Sequence, residues 1–179
     1  MSTLNVGDYN RLGQVFVAAN NAATNHIAVA TTQTGLTVFN PFGSGKKLIL
    51  VDWGFVWTTV PGAVHNVGLA MTVASSVTST GTAATVTGGV RPANGQAAGG
   101  ASVAQAFSSF VPGSGVAPVA VRWPFCAAWG TASTHVSPYT FRDVIDGAIC
   151  LVPGSAISTC VVTTTAAGMA SFTWIEVPV

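Results

Sequence analysis

The sequence predicts an all-β fold, an antiparallel β-sandwich, on three observations. Short apolar or alternating runs recur along the chain, separated by turns rich in Gly, Pro, Asn and Asp. Val and Thr, which favour pleated and half-buried surfaces, are abundant, whereas the helix formers Glu, Lys, Leu, Gln and Arg are scarce. The 179 residues suffice for one domain with a substantial core, so we assign residues 1–179 to a single domain.

The first elements are short. Residues 1–13 are polar and contain Gly, and they predict an N-terminal arm or edge segment. Three strands are predicted next, at Gln14–Ala19, His26–Thr31 and Leu36–Phe39. A tight turn then begins at Asn40-Pro41, because the residue before a proline is excluded from the helical region, and its two glycines admit positive φ.

The longest strand pattern follows that turn and ends at Trp57. Strict alternation places one apolar set on the predicted sandwich core: Ile49, Val51, Trp53, Phe55 and Trp57. It places Leu48, Leu50, Asp52, Gly54 and Val56 on the other face. That second face is also largely apolar, so a neighbouring subunit or another part of this chain is expected to cover it. Leu48, Leu50 and Val56 are therefore candidate interface residues.

The middle of the chain changes character. Residues 63–73 predict another strand, but residues 74–116 are rich in Ala, Ser, Thr and Gly. We interpret them as an extended loop region with two weak strands, at 82–87 and 103–111, that makes contacts outside the domain core. Phe107 and Phe110, its few large side chains, are candidate interface residues.

The last third resumes the β pattern. Residues 116–125 predict a strand with Val119, Val121 and Trp123 aligned, and an irregular connection at 126–142 carries Trp129 and Tyr139, two further candidate interface residues. Turns at Asp146-Gly147 and at 153–155 frame short strands, and the final strand alternates Phe172, Trp174 and Glu176 against Thr173, Ile175 and Val177. Eight to ten strands with no convincing helix result, and eight strands in two sheets form a jelly roll.

Charge and composition exclude several function classes. Only 6% of residues are charged, against about 25% in an ordinary soluble domain. A net charge of +1 is too small to hold a nucleic acid. No apolar run reaches the roughly 18–20 residues of a membrane-spanning helix, and the regular segments of a membrane barrel are missing from the pattern. A neutral, charge-poor surface predicts that much of it is covered in an assembly.

No motif predicts a cofactor or a catalytic site. The turn Gly43–Lys47 lacks the spacing of a phosphate-binding loop and precedes a strand, not a helix. His26, His65 and His135 are far apart in sequence, although a metal site assembled across strands, or three copies of one His at a trimer axis, stays open. No serine lies in a nucleophile elbow. We therefore predict a protein that is not an enzyme.

The remaining reactive side chains have structural interpretations. Asp52 and Glu176 lie in apolar strands and predict structural ion pairs, with a partner such as Arg122, in preference to the paired carboxylates of a glycosidase. Asp143 and Asp146 flank a turn and are expected to cap backbone groups. The three cysteines predict core thiols, with neighbouring strands for Cys150 and Cys160 as the alternative. The tryptophans favour core or interface over a sugar platform.

Two segments carry a family resemblance. LTVFNPFGSGKKLIL is a strand, a Gly-rich turn and a strand, and LVPGSAISTCVV with AGMASFTWIEVP ends on an aromatic strand. Together they resemble virion-associated jelly-roll structural proteins of phages, including capsid cement or decoration proteins and tail or fibre attachments. The resemblance implies a homo-oligomer, commonly a trimer, that binds a protein lattice and does no chemistry.

These observations predict a capsid cement or decoration subunit that binds major capsid proteins. The N-terminus contains no secretory signal, so we expect assembly in a host cytoplasm and residence in the virion, without nucleic acid, membrane or cofactor. Two alternatives stay open: a receptor- or carbohydrate-binding module of a tail fibre, in which loops carrying Trp129 and Tyr139 are exposed, and a major capsid jelly roll.

Overall fold

Two antiparallel β-sheets face each other in the computed structural model, which describes residues 5–59, 65–73, 80–83, 90–93, 101–112, 118–124, 127–128, 140–162 and 165–179. These residues form one short helix, α1 (Val6–Arg11), and fourteen strands. The strands are β1 (Val15–Ala19), β2 (Thr24–His26), β3 (Gln33–Phe39), β4 (Lys46–Trp57), β5 (His65–Val73), β6 (Thr80–Ala83), β7 (Arg91–Pro92), β8 (Gln105–Val111), β9 (Val119–Arg122), β10 (Ala127–Ala128), β11 (Thr140–Val144), β12 (Cys150–Leu151), β13 (Ser155–Val161) and β14 (Ala166–Pro178).

The order of the principal strands is that of a jelly roll. The first sheet runs β1–β14–β4–β11, and the second contains β3–β13–β5, with β9 and β10 both paired to β5. All these pairs are antiparallel, and the first and last principal strands, β1 and β14, are neighbours. Interleaving early and late strands within both sheets produces the double Greek key. The predicted all-β, jelly-roll-like sandwich is confirmed.

A β-bulge in the longest strand overturns the predicted assignment of its faces. Against β14, Asp52 pairs with Thr173 but Leu50 pairs with Trp174, so Val51 is the extra residue. Because the side-chain period is two, one extra residue moves everything before it to the opposite face. The inter-sheet core therefore receives Leu48, Leu50, Trp53, Phe55 and Trp57. The prediction that Ile49 and Val51 share the core with Trp53 was wrong.

The N-terminal arm contains the helix that the sequence did not predict. Helix α1 ends in a Schellman motif, in which Gly13 at φ 67° and Gln14 donate their N–H groups to the carbonyls of Asn10 and Tyr9. Val6 and Tyr9 pack on the outer face of the first sheet, against a small apolar cluster of Val15, Val51 and Ile175. Part of this chain thus covers the outward side of β4.

Two strand predictions differ from the structure. The predicted strand at His26–Thr31 is replaced by β2, which ends at His26 where the chain leaves the first sheet. In β9 a register shift opposite Leu69 and Ala70 breaks the predicted alignment: Val119 pairs with Met71, whereas Trp123 packs over Gly68 on the other face. A Cβ at Gly68 would overlap the Trp123 ring and lie 2.6 Å from the Arg122 carbonyl oxygen, so only glycine fits there.

The small-residue region 74–116 contributes to the sandwich where it is described. Strands β8 and β6 extend the second sheet beyond β3, and β7 pairs with β1 at an edge of the first sheet. Phe110 is fully buried, and Val103 and Ala106 pack against the main core. The prediction of a weak strand at 103–111 is confirmed, and that at 82–87 extends beyond the described residues. The expectation that this region makes its contacts outside the domain core does not hold for the described segments, whose Val103, Ala106 and Phe110 pack within the sandwich.

The turns predicted after Asn40 and at Asp146-Gly147 are confirmed. Gly43 and Gly45 adopt φ 78° and 68°, and Asp146 and Gly147 adopt φ 48° and 79°. Asn40 fixes the first turn by donating from Nδ2 to the carbonyls of Lys46 at 2.8 Å and Leu151 at 3.0 Å. The last strand also alternates as predicted, with Phe172, Trp174 and Glu176 directed into the core.

Candidate functional site

The predicted interface residues of β4 separate into two groups. Leu48 and Leu50 are 0% and 1% exposed and lie between the two sheets, so they are not part of the surface that a partner can reach. Their assignment to the face opposite Trp53 was wrong, because it missed the bulge at Val51. Val56 is half-buried on the outer face, where an interface role stays a prediction.

The other predicted interface residues are aromatic. Phe107 and Phe110 form a cluster with Phe39, with ring centroids 5.4–6.5 Å apart, in which Phe110 is inaccessible and Phe107 is half-buried. Their main role in this chain is therefore packing of β8 against β3. Trp129 and Tyr139 lie outside the described residues.

Ion pairs join the strands at one side of the sandwich. Arg122 of β9 binds Asp143 of β11 through two hydrogen bonds of 2.6 and 2.9 Å, and Trp53 Nε1 donates to the same carboxylate at 3.0 Å. The Arg122 guanidinium holds the pKa of Asp143 below its usual value of 3.8. Asp52 binds Arg142. The prediction of structural ion pairs is confirmed, although Arg122 pairs with Asp143, which was expected to cap a turn.

A buried carboxylate ties the last strand to the segment before β8. The Glu176 side chain is inaccessible to solvent, and Lys46 Nζ lies 3.0 Å from it. Ser102 Oγ donates to Glu176 Oε1, and the Val103 N–H donates to the same oxygen at 3.1 Å. Four donors, including Trp174 Nε1 at 3.4 Å, thus surround this carboxylate. Such dense pairing is what a buried charge requires.

Glu176→Gln is expected to lower the free energy of unfolding by about 2 kcal/mol, because the amide loses charge-assisted hydrogen bonds and leaves Lys46 without a counter-charge. Urea unfolding measures the loss. Asp8→Asn is the matched control, since the Asp8–Arg11 pair is 61% and 86% exposed and its removal should have no measurable effect. Equal losses in the two variants would contradict the structural role of Glu176.

His26 links the two sheets inside the core. Its Nδ1 lies 2.7 Å from Thr159 Oγ1 on β13, and its Nε2 lies 3.3 Å from the Gly168 carbonyl on β14. The Phe55 ring packs edge-on with the imidazole at 4.8 Å between centroids. Burial lowers the pKa of His26 to about 4, so the ring is neutral near pH 7. This arrangement is structural, and within the described residues no cluster of metal-ligating side chains occurs.

The cysteines and tryptophans follow the structural interpretation in most cases. Cys160 is buried in the second sheet, where burial raises the pKa of its thiol to about 12, whereas Cys150 is an exposed thiol in the first sheet. They are therefore not strand neighbours, and Cys126 lies outside the described residues. Trp53, Trp57 and Trp174 are buried, but Trp123 is 40% exposed.

Several large apolar side chains remain accessible, and sequence reasoning missed most of them. Strand β9 exposes Val119 and Val121, at 67% and 43%. The outermost strands β11 and β12 of the first sheet carry Val144, 61% exposed, and lead into Val152, 44% exposed. The residues concerned are Leu12, Phe42, Val119, Val121, Trp123, Val144, Val152, Val162 and Val179. The sequence did show short strands in which every second residue is apolar. It did not show that these strands lie at the edges of the sheets, where such residues are exposed.

Comparison with known proteins gives no relative. No family model, curated protein or solved structure matches this chain. In the part of the chain that the structure describes, no helix is long and apolar enough to cross a membrane.

Proposed function

We propose that this chain is a structural subunit of a virus particle, a capsid cement or decoration protein that oligomerises and binds major capsid proteins. The observation that carries the proposal is the contrast between the charged and the apolar side chains. Four ion pairs among the described residues use four of the chain's five acidic residues. Large apolar side chains, by contrast, are exposed on edge strands of both sheets.

This distribution favours contact with protein. The cores of protein interfaces are depleted of charged residues and enriched in apolar ones. A jelly roll is also an architecture that capsid proteins use, although the fold by itself does not define a function. A net charge of +1 does not favour a genome-binding role, which distinguishes this proposal from that of a major capsid protein with basic arms.

The proposal is tested on purified particles. We expect the chain to co-sediment with virions at a fixed copy number, to give density between major capsid subunits in electron cryomicroscopy, and to be missing from particles of a deletion strain. Those particles should lose their genome at a lower temperature, because a cement protein adds contacts between capsid subunits.

Other locations contradict the proposal. Density at the tail together with binding on a glycan array would identify the tail-fibre alternative. A copy number equal to that of the capsid lattice itself would identify a major capsid protein. Absence from purified particles would remove all three assignments.

A further inference from the structure

The outer edge of the first sheet is built from β11 and β12, which we call the β11–β12 edge. Both strands are hydrogen-bonded to β4, and among the described residues neither pairs with a strand on its other side. Along this edge Val144 is 61% exposed, the Cys150 thiol is exposed and Val152 is 44% exposed. Exposed Val144, Cys150 and Val152 therefore accompany the open edge from the end of β11 to the residue after β12.

The backbone of Cys150 points away from β4. The Leu50 N–H donates to the Ile149 carbonyl at 3.0 Å, so a ladder hydrogen bond joins the residue before Cys150 to the residue after Ile49. The next pair, Cys150 with Ile49, is then a non-hydrogen-bonded pair, since the two kinds alternate in an antiparallel ladder. The N–H and C=O groups of Cys150 thus face outward, where another strand can bind them.

Charged side chains on an edge strand normally prevent it from pairing with another chain, but those of β11 are held in ion pairs within this chain. Arg142 and Asp143 of β11 are held by Asp52 and Arg122. Among the described side chains, no ion pair includes Lys47 or Asp146. Lys47 directly precedes Leu48, the partner of Leu151, so continuing this register by one residue places it next to Val152; Asp146 lies in the turn before β12. Two unpaired charges of opposite sign thus flank the same short strand.

We propose that the β11–β12 edge pairs antiparallel with the same edge of a second copy of this chain, with Cys150 opposite Cys150. This register places Val152 opposite Ala148 of the second copy. It brings Lys47 toward Asp146 of the second copy, and the two-fold symmetry repeats that contact. The edge is complementary to itself in backbone hydrogen bonding, in apolar side chains and in charge. The contact is two-fold, and so it differs from the three-fold contact that the phage resemblance implies.

This proposal identifies the surface through which the chain self-associates. Of the proposed function it depends only on self-association, and not on binding to a capsid. Crosslinking with a short bismaleimide tests it. In a hydrogen-bonded antiparallel pair the two Cα atoms lie about 5.5 Å apart, so two Cys150 thiols are within reach of one reagent molecule. We expect a covalent dimer from the unmodified chain and none from Cys150→Ser, which retains Cys126 and Cys160.

Charge variants test the register. Lys47→Glu should weaken dimerisation at least about tenfold in sedimentation equilibrium, because it replaces two attractive contacts by repulsive ones. Adding Asp146→Asn to Lys47→Glu should recover part of the loss, since it removes the repulsion and Asn tolerates positive φ. Arg11→Glu, a charge reversal on α1 away from the edge, is the matched control and should leave dimerisation unchanged.

The outcomes separate this proposal from the proposed function. An oligomer that forms no Cys150 crosslink and is insensitive to Lys47→Glu places self-association on another surface and overturns the edge proposal. A chain that stays monomeric at high concentration overturns it as well. The virion role is decided independently, by whether the chain is present in purified particles.

Discussion

Leu50→Asp is expected to prevent the isolated chain from folding. Leu50 is 1% exposed between the sheets, and an unpaired carboxylate there loses its hydration without gaining a partner. The expected cost exceeds about 4 kcal/mol, against a total stability of about 5–15 kcal/mol for a domain of this kind. Circular dichroism and urea unfolding of the purified chain measure the outcome, without any assembly partner.

Val56→Asp is the matched control for that variant. Without the bulge at Val51, Leu50 and Val56 would share one face of β4; with it, Leu50 points into the core and Val56 lies half-buried outside. We expect Val56→Asp to fold and to lose about 1 kcal/mol or less. If Leu50→Asp yields no folded protein to measure, Leu50→Ala and Val56→Ala give the same comparison, with about 2–5 kcal/mol expected for Leu50→Ala alone.

Two results would contradict the assignment of faces. One is a Leu50→Asp chain that unfolds at the same urea concentration as the unmodified protein. The other is a Val56 variant that is destabilised as strongly as its Leu50 counterpart, which would indicate unbroken alternation along β4.

The bulge explains why the sequence predicted the fold class but not the faces of its longest strand. Residues 48–57 are largely apolar at both parities, so the sequence alone does not show which residues of the strand face the core. The extra residue becomes visible only against β14, where Leu50 and Asp52 take successive partners. By contrast, β14 alternates without interruption, as its sequence predicted.

Short elements and edge strands were also beyond sequence reasoning. A helix of six residues, such as α1, is too short to be stable alone and forms because Val6 and Tyr9 find an apolar cluster on the first sheet. Strand β8 was expected to be weak because its region is rich in small residues, yet it pairs with β3 and buries Phe110. In both cases tertiary contacts decided the outcome.

The candidate site was also only partly predictable from the sequence. The acidic residues predicted ion pairs, but the partner of each one depends on which strands lie close together in the fold. Strands β9 and β11 belong to different sheets, so the ion pair between them forms only where the two sheets face each other. The exposed Val144 and Val152 were not singled out, because a valine in a strand pattern is usually a core residue. Only the strand order shows that β11 and β12 form an edge.

His26 also makes the stability of the sandwich depend on pH. Its neutral ring lies between the sheets against Thr159, the Gly168 carbonyl and Phe55, none of which carries a charge. Burial lowers its pKa from 6.5 to about 4. In the folded chain the ring therefore resists protonation, whereas in the unfolded chain it binds a proton at about pH 6.5.

The sign of the effect follows from this difference. Between pH 6.5 and pH 4 the unfolded state binds more protons, so the free energy of unfolding falls as the pH is lowered through this window and is constant above it. A pKa difference of about 2.5, at about 1.4 kcal/mol for each pH unit, corresponds to a loss of about 3 kcal/mol near pH 4. Carboxylates such as Asp143, whose pKa Arg122 lowers from 3.8, contribute at lower pH.

Urea unfolding at a series of pH values between 7.5 and 4, on the unmodified chain and on His26→Gln, measures this contribution. Gln cannot gain the proton, so the variant should be less stable at pH 7.5 but should lose less stability on acidification, and the two curves should converge toward pH 4. The difference between the curves isolates His26, because His65 and His135 are present in both proteins. Parallel curves over the whole range would show that the pKa of His26 is the same in the folded and unfolded states. That result would contradict the burial of a neutral His26 ring between the sheets.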